Sequence, residues 1–366
     1  MGLNRSTIAD LVSEVELLGL AEQQVPNARG HPAAGRPSVG VTTTDHAYVL
    51  AVDVRVSGLA VARVGLGGRV LSVATGPSPK GHHPQATVDA IADLVGMVVR
   101  DGDPDSVLVG IGVSVPGIAA PDSGIVRLAP NLEWRDIPFA EMLTIRLGTP
   151  LDAVLGNEAD HGALAEHLRG VGRDVDDLVY VSGEVGVGAG LIAGGTPVNG
   201  AAGFAGEVGH LPFGDGVRQC HCGATGCWET EIGAAAMAEA VGCPPDRLTD
   251  LGGYLDRLDS APAELATIGR HLGRGLAGLA NLLNPEIIVL GGYLRSLYRW
   301  VEGDIHAEMA SRALQIPGLL PRIVLPRLGD ESVLVGASEV AFRKLLDDPV
   351  GALTLAQPTR LLQKIE

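Results

Sequence analysis

The 366-residue chain is 46% apolar but only 3% aromatic, so alanine, valine and leucine must fill its core. Its 51 glycines and 23 prolines are spread between apolar runs, which excludes a disordered chain and points to a turn-rich α/β protein. A net charge of -16 excludes nucleic-acid binding by the surface as a whole, so any DNA contact must be local.

The first residues, 1–40, are the stretch that is not strongly acidic. There Arg5, Arg29 and Arg36 stand against Asp10, Glu14, Glu16 and Glu22. Met1–Leu20 is amphipathic and contains acids, so it does not read as a signal peptide, and no apolar run reaches transmembrane length. A soluble cytoplasmic protein is expected.

In chain order, residues 4–18 predict a helix. Ile8, Leu11, Val12, Val15 and Leu18 recur at helical spacing, with Asn4 as N-cap and Gly19 as stop. The Gly-, Pro- and Arg-rich stretch 21–41 reads either as a linker or as a hairpin wing with Arg36 at its tip. Three short strand-like runs follow at 48–54, 58–64 and 69–75. A helix at 84–100 and strands at 107–115 and 151–155 come next, then a helix at 158–169. A strand at 177–182 leads through a glycine-rich turn into another that ends at 192. The last third alternates: helix 261–283, strand 286–290, a helix from Leu294, strand 322–326 and helix 332–345. This order predicts two α/β lobes with a cleft between them. The expected division is 1–45, 46–155 for the N-terminal lobe, 156–346 for the C-terminal lobe, and a tail at 347–366.

Chemistry concentrates between Glu207 and Glu229. Cys220, Cys222 and Cys227 fall within eight positions, with His210 shortly before them. Three thiolates and an imidazole make a closed ligand set for structural zinc. Gly223 and Gly226 permit the tight turns this requires. His221 competes as fourth ligand but is poorly placed between Cys220 and Cys222. Cys243 stands apart as a core or surface thiol.

The run from Glu207 through Glu229 resembles the signature of the ROK family (repressor, open reading frame, kinase). Three further segments are similar to motifs of that family. Leu128–Trp134 resembles its sugar-cleft loop, and Gly156-Asn157-Glu158-Ala159-Asp160 its catalytic loop. Ile288–Gly292 resembles the segment that faces adenosine in the kinases. The resemblance implies an actin-like, hexokinase-type pair of α/β domains. It also implies a sugar held by Asn131, Asn157, Glu158, Glu207, His210 and Glu229. Such side chains can pair with hydroxyls that both donate and accept. Zinc would hold one nitrogen of His210 and leave the other for the ligand.

Phosphoryl transfer is not expected. The kinases carry Asp-x-Gly-Gly-Thr after their first strand, whereas this chain has Asp53-Val54-Arg55-Val56-Ser57. Side chains at Arg55 and Val56 obstruct the backbone approach to phosphate. In the second phosphate loop Glu184-Val185 replaces Gly-Thr, and Glu158 stands where the kinases have a catalytic aspartate. The resemblance therefore points to the regulator branch, non-catalytic and sugar-responsive, with an ATP-dependent, glucokinase-like sugar kinase as the alternative. Regulators of the family join a winged helix-turn-helix to the sugar domain. Residues 1–12 resemble its recognition helix, with Arg5, Ser6 and Thr7 facing DNA and Arg36 on the wing. A complete motif has two helices before this one, so operator DNA is expected as partner of a form that carries them. A homodimer or homotetramer is implied by the family.

Overall fold

The computed structural model describes residues 4–24, 40–120, 123–314, 316 and 320–362. Helix α1 (Arg5–Leu17) leads into an antiparallel ribbon of β1 (Ala21–Gln24) and β2 (Gly40–Thr43), with Ala21 opposite Thr43. Asn4 caps α1 as its sequence predicts, accepting from the Thr7 N–H at 2.9 Å. The Arg36 tip of the expected wing lies outside the described residues. Next come β3 (Ala47–Val54), β4 (Gly58–Gly65), β5 (Arg69–Pro77), α2 (Pro84–Arg100) and β6 (Val107–Val115). A small sheet of β7 (Ile118–Ala120), β8 (Ile125–Ala129) and β9 (Trp134–Ile137) precedes α3 (Phe139–Leu147), β10 (Ala153–Asn157) and α4 (Glu158–Leu168). Then follow β11 (Leu178–Gly183), β12 (Val187–Ala193), β13 (Thr196–Pro197), α5 (Glu229–Ile232), α6 (Ala234–Val241), α7 (Leu251–Asp256) and α8 (Leu265–Leu283). The chain continues through β14 (Ile287–Gly292), α9 (Tyr293–Arg312), β15 (Arg322–Val324), α10 (Ser332–Asp347), α11 (Pro349–Leu355), β16 (Gln357–Pro358) and α12 (Thr359–Leu362).

Two sheets organise the molecule. The first runs β10-β6-β3-β4-β5, and the second β13-β12-β11-β14-β15. Strand β3 is buried along its whole length, as its near-continuous apolar run AYVLAVDV requires of a central strand. Helices α2 and α3 cover one face of the first sheet. In α2, Val88, Ile91, Ala92, Val95 and Val99 make the buried stripe. Helices α8 and α9 cover the outer face of the second sheet.

Between the sheets lie α4 and α10, packed on each other. Helix α4 sits on β11 and β12, and α10 on β3 and β6. Glycine makes this closeness possible. A Cβ on Gly112 would stand 1.9 Å from the Ala337 carbonyl oxygen, and one on Gly336 would stand 1.9 Å from that of His161.

Helix α10, placed by order in the C-terminal lobe, packs on α4 and also on the first sheet. The tail docks there too: β16 pairs antiparallel with β6 and Leu362 is buried. The sequence reading also passed over the small sheet of β7–β9 and the short helices α5–α7, whose few residues leave no periodic signal. Among the described residues no helix is long and apolar enough to cross a membrane.

Candidate functional site

The carboxyl ends of β3, β10 and β11 converge between the two sheets, and the site is built there. Helix α4 starts at this point. Asn157 caps it, accepting from Ala159 N–H at 2.7 Å, and its amide nitrogen donates to Gly117 O at 3.0 Å. Both ends of the Asn157 amide are thus engaged within the protein, each keeping one free position for a further hydrogen bond.

Glu158, the first residue of α4, has its Oε2 buried without a hydrogen-bond partner. Burial pushes its carboxyl well above the usual range. The charges of Glu184, Asp53 and Glu207 add to this, while the backbone N–H at the helix start opposes it. Asp160 is likewise pushed up to about 7, by burial and then by Glu207. Asp160 closes the motif that resembles the catalytic loop but was given no role there. Its signal was a carboxylate three places past a helix cap, on the helix that fills the space between the sheets.

The candidate metal group forms on the long connection from β13 to α5. Gly206, at φ +99 and pressed against Ala189 O, turns the chain into a one-turn helix, Val208–His210. Further on, Cys220 N–H donates to Ala224 O at 2.8 Å and Gly223 N–H to Cys220 O at 3.0 Å. Gly223 and Gly226 adopt φ +94 and +76, the left-handed turns their sequence positions call for. His210, Cys220, Cys222 and Cys227 then offer ligand atoms that all lie within 4.8 Å of one another.

This quartet could hold a metal ion. Sulfur ligands about 2.3 Å from a tetrahedral zinc stand roughly 3.7 Å apart. Here Cys222 Sγ and Cys227 Sγ are 3.6 Å apart, and Cys220 Sγ is 3.6 Å from His210 Nδ1. His221 is exposed and outside the quartet, and Cys243 is a buried core thiol.

His210 presents Nδ1 to the sulfurs, while its Nε2 lies 3.8 Å from Glu207. Glu229 Oε1 is 3.5 Å from His210 Nδ1 and accepts from Cys220 Sγ at 2.8 Å. The structure thus brings Glu207, His210 and Glu229 together beside the metal quartet, with Glu158 close enough to Glu207 for their charges to interact. Asn131 is exposed on the turn Pro130–Leu132, in the small sheet whose root at Gly117 is tied to Asn157. The loop is anchored by Trp228, which follows ligand Cys227 directly. Its indole is fully buried, donates to His271 O at 2.8 Å and meets Phe213 edge-on.

At the other end of the cleft the Arg55 guanidinium is held. Its Nε is 2.5 Å from Asp53 Oδ2 and 3.7 Å from Glu184 Oε1. Asp53 is buried, and its Oδ1 has no hydrogen-bond partner. Burial pushes Glu184 up to about 7, with Arg55 opposing and Asp53 reinforcing.

Arg5, Ser6 and Thr7 form the first turn of α1. Arg5 and Ser6 are exposed, and the Ser6 and Thr7 hydroxyls turn back onto Asn4 Oδ1 at 2.7 and 3.1 Å.

The ROK family profile matches residues 49–344. The chain belongs to the ROK family. It is 27% identical to the xylose repressor of Bacillus subtilis over 355 residues, 94% of this chain and 90% of the repressor. A ROK family glucokinase from Streptomyces griseus, solved in complex with glucose and AMPPNP, superposes with a TM-score of 0.69. It is 25% identical, and the match covers 80% of this chain and 99% of the kinase. A ROK family transcriptional regulator, described as a homologue of the Escherichia coli MLC protein, shares the fold with a TM-score of 0.72. It is 24% identical, over 99% of this chain and 91% of the regulator. The fold is therefore the actin-like, hexokinase-type pair of α/β domains that the motifs implied.

Proposed function

We propose that this ROK protein is a sugar-responsive transcriptional regulator that binds a sugar without phosphorylating it. The observation that carries this reading is Arg55. In the turn where a kinase of the family cradles phosphate, this chain places a guanidinium ion-paired to Asp53 and facing Glu184. The repressor and regulator relatives, matched over nearly the whole chain, support the same reading.

On this reading Asn131, Asn157, Glu158, Glu207, His210 and Glu229 hold the sugar. Zinc is the ion of the quartet: soft thiolates and a tetrahedral edge of 3.6 Å suit it. When bound, it fixes the tautomer and direction of His210, so that Nε2–H points away from the metal as a donor. Residues 1–45 are the DNA-facing module, with Arg5, Ser6, Thr7 and Arg36 toward an operator. The acidic remainder of the chain confines nucleic acid to that end. A homodimer or homotetramer in the cytoplasm would bind a palindromic site.

The test is a thermal-shift panel of pentoses, hexoses and amino sugars, with and without ATP, joined to a coupled kinase assay. The expected result is stabilisation by a sugar that ATP does not change, with no ADP formed. Brisk sugar-dependent ADP production would establish the kinase alternative instead. An operator gel shift that responds to the same sugar completes the test.

A further inference from the structure

We propose that Arg55 and Glu184 form an electrostatic latch that ties the two lobes of the sugar-free chain together across the nucleotide end of the cleft. Arg55 belongs to the first sheet, in the turn between β3 and β4, which is closed by Arg55 N–H donating to Gly58 O at 2.9 Å. Glu184 belongs to the second sheet, in the turn between β11 and β12, where its N–H donates to Gly186 O at 3.1 Å. The two turns come from different lobes, and their charged side chains meet at 3.7 Å.

Asp53 makes the latch directional. It is buried at the end of β3 and grips Arg55 Nε at 2.5 Å, so the guanidinium is oriented by its own lobe before it reaches the other. Both latch side chains are about one-third exposed, which leaves the pair screened yet not fully solvated. Each substitution alone is unfavourable for a phosphate turn, since one fills it and the other repels anions. Together they are complementary. A nucleotide bridges the lobes of a kinase through its phosphates. Here the chain supplies both halves of the bridge, and the lobes need no second ligand to stay in register.

The test uses the full chain at pH 8, where Glu184 is ionised, and reads hydrogen exchange at residues 54–58 and 183–187 without sugar. Glu184→Gln is the decisive variant, because it leaves the Arg55–Asp53 bond inside the first lobe intact. Exchange at 54–58, on the opposite lobe, should speed up about tenfold. Arg55→Gln should speed exchange at 183–187 by a similar factor, Arg55→Lys should do so less, and the double variant should go no further than either single change. Small-angle scattering should show a larger radius of gyration for both Gln variants. Unchanged exchange at 54–58 in Glu184→Gln, or additive effects in the double variant, would overturn the latch. Since sugar is absent throughout, the outcome does not depend on whether the cleft binds one.

Discussion

Replacing Cys222 with serine tests whether the metal loop serves the cleft or merely the fold. Cys222 is the exposed cysteine of the quartet, so its loss removes a candidate ligand without opening a core cavity. The loop should stay docked, because Trp228 is fully buried and bonded to His271 O. Burying about 200 Å² of indole at roughly 25 cal/mol/Å² contributes about 5 kcal/mol whether or not the metal is present. His210 is a different matter. Without the metal, its ring keeps Cys220 Sγ at 3.6 Å, Glu229 at 3.5 Å and Glu207 at 3.8 Å, long contacts that orient it more weakly than a metal bond would. Losing one oriented hydrogen bond to a neutral hydroxyl costs about 0.5–1.5 kcal/mol, so sugar affinity should fall between about twofold and tenfold. The assay is calorimetric titration with D-xylose and D-glucose, alongside metal analysis and far-ultraviolet circular dichroism. Expected are a zinc content falling to near zero, an unchanged dichroism spectrum and the weakened binding. A metal-free Cys222→Ser chain that binds sugar as tightly as the parent would refute the linkage between metal and cleft.

Gly112→Ala should destabilise the first lobe by more than about 3 kcal/mol, because the new methyl meets a backbone carbonyl at 1.9 Å and α10 must lift off the sheet. Gly96→Ala, where nothing lies within 4 Å, should instead raise stability by about 0.5–1 kcal/mol, and denaturant melts of the two variants compare them directly. His161, buried beside Ser114, is pushed by burial from 6.5 down to about 4. The unfolded chain therefore takes up this proton first, so stability is full above pH 6.5 and falls as the pH drops toward 4. His161→Gln should flatten that acid limb in thermal melts, and parallel curves for the two proteins would count against the assignment. Asn4→Ala should cost α1 about 1 kcal/mol, seen as faster exchange confined to residues 5–9.

Regular elements were legible where one pattern decides them. The unbroken apolar run of β3 predicts a central strand, and the stripe of α2 predicts a helix laid on a sheet. What periodicity does not carry is the partner of a face. Helix α10 meets β6 through Ala337 and Ala341 set against Gly112 and Gly110, small residues that signal closeness but not to what. Order along the chain therefore did not show that it also packs on the first sheet. The metal quartet was legible because three ligands lie close in sequence and glycines mark the turns. The state of Glu158 was not, since it depends on Asp53, Glu184 and Glu207, which only folding brings near it. Arg55 was read as an obstruction, and its pairing with a glutamate from the other lobe emerges from the fold alone.

These neighbours also bear on why the sugar end could persist after the phosphate turns were lost. A carboxylate acts as a base toward a sugar hydroxyl only when ionised, and cations drawn into the cleft would favour that state. Here the Glu158 Oε2 is buried and the charges of Glu184, Asp53 and Glu207 act on the carboxyl, while the nearby guanidinium of Arg55 is already paired with Asp53. Burial first, and then these charges, push its carboxyl well above the usual range and favour the neutral form. A neutral carboxyl can both donate to and accept from a hydroxyl, which is what holding a sugar requires, but it cannot take the hydroxyl proton. The same charges that would repel phosphate thus disfavour the ionised form that a base at Glu158 needs. On the proposed function, binding a sugar without phosphorylating it draws on one electrostatic arrangement rather than two.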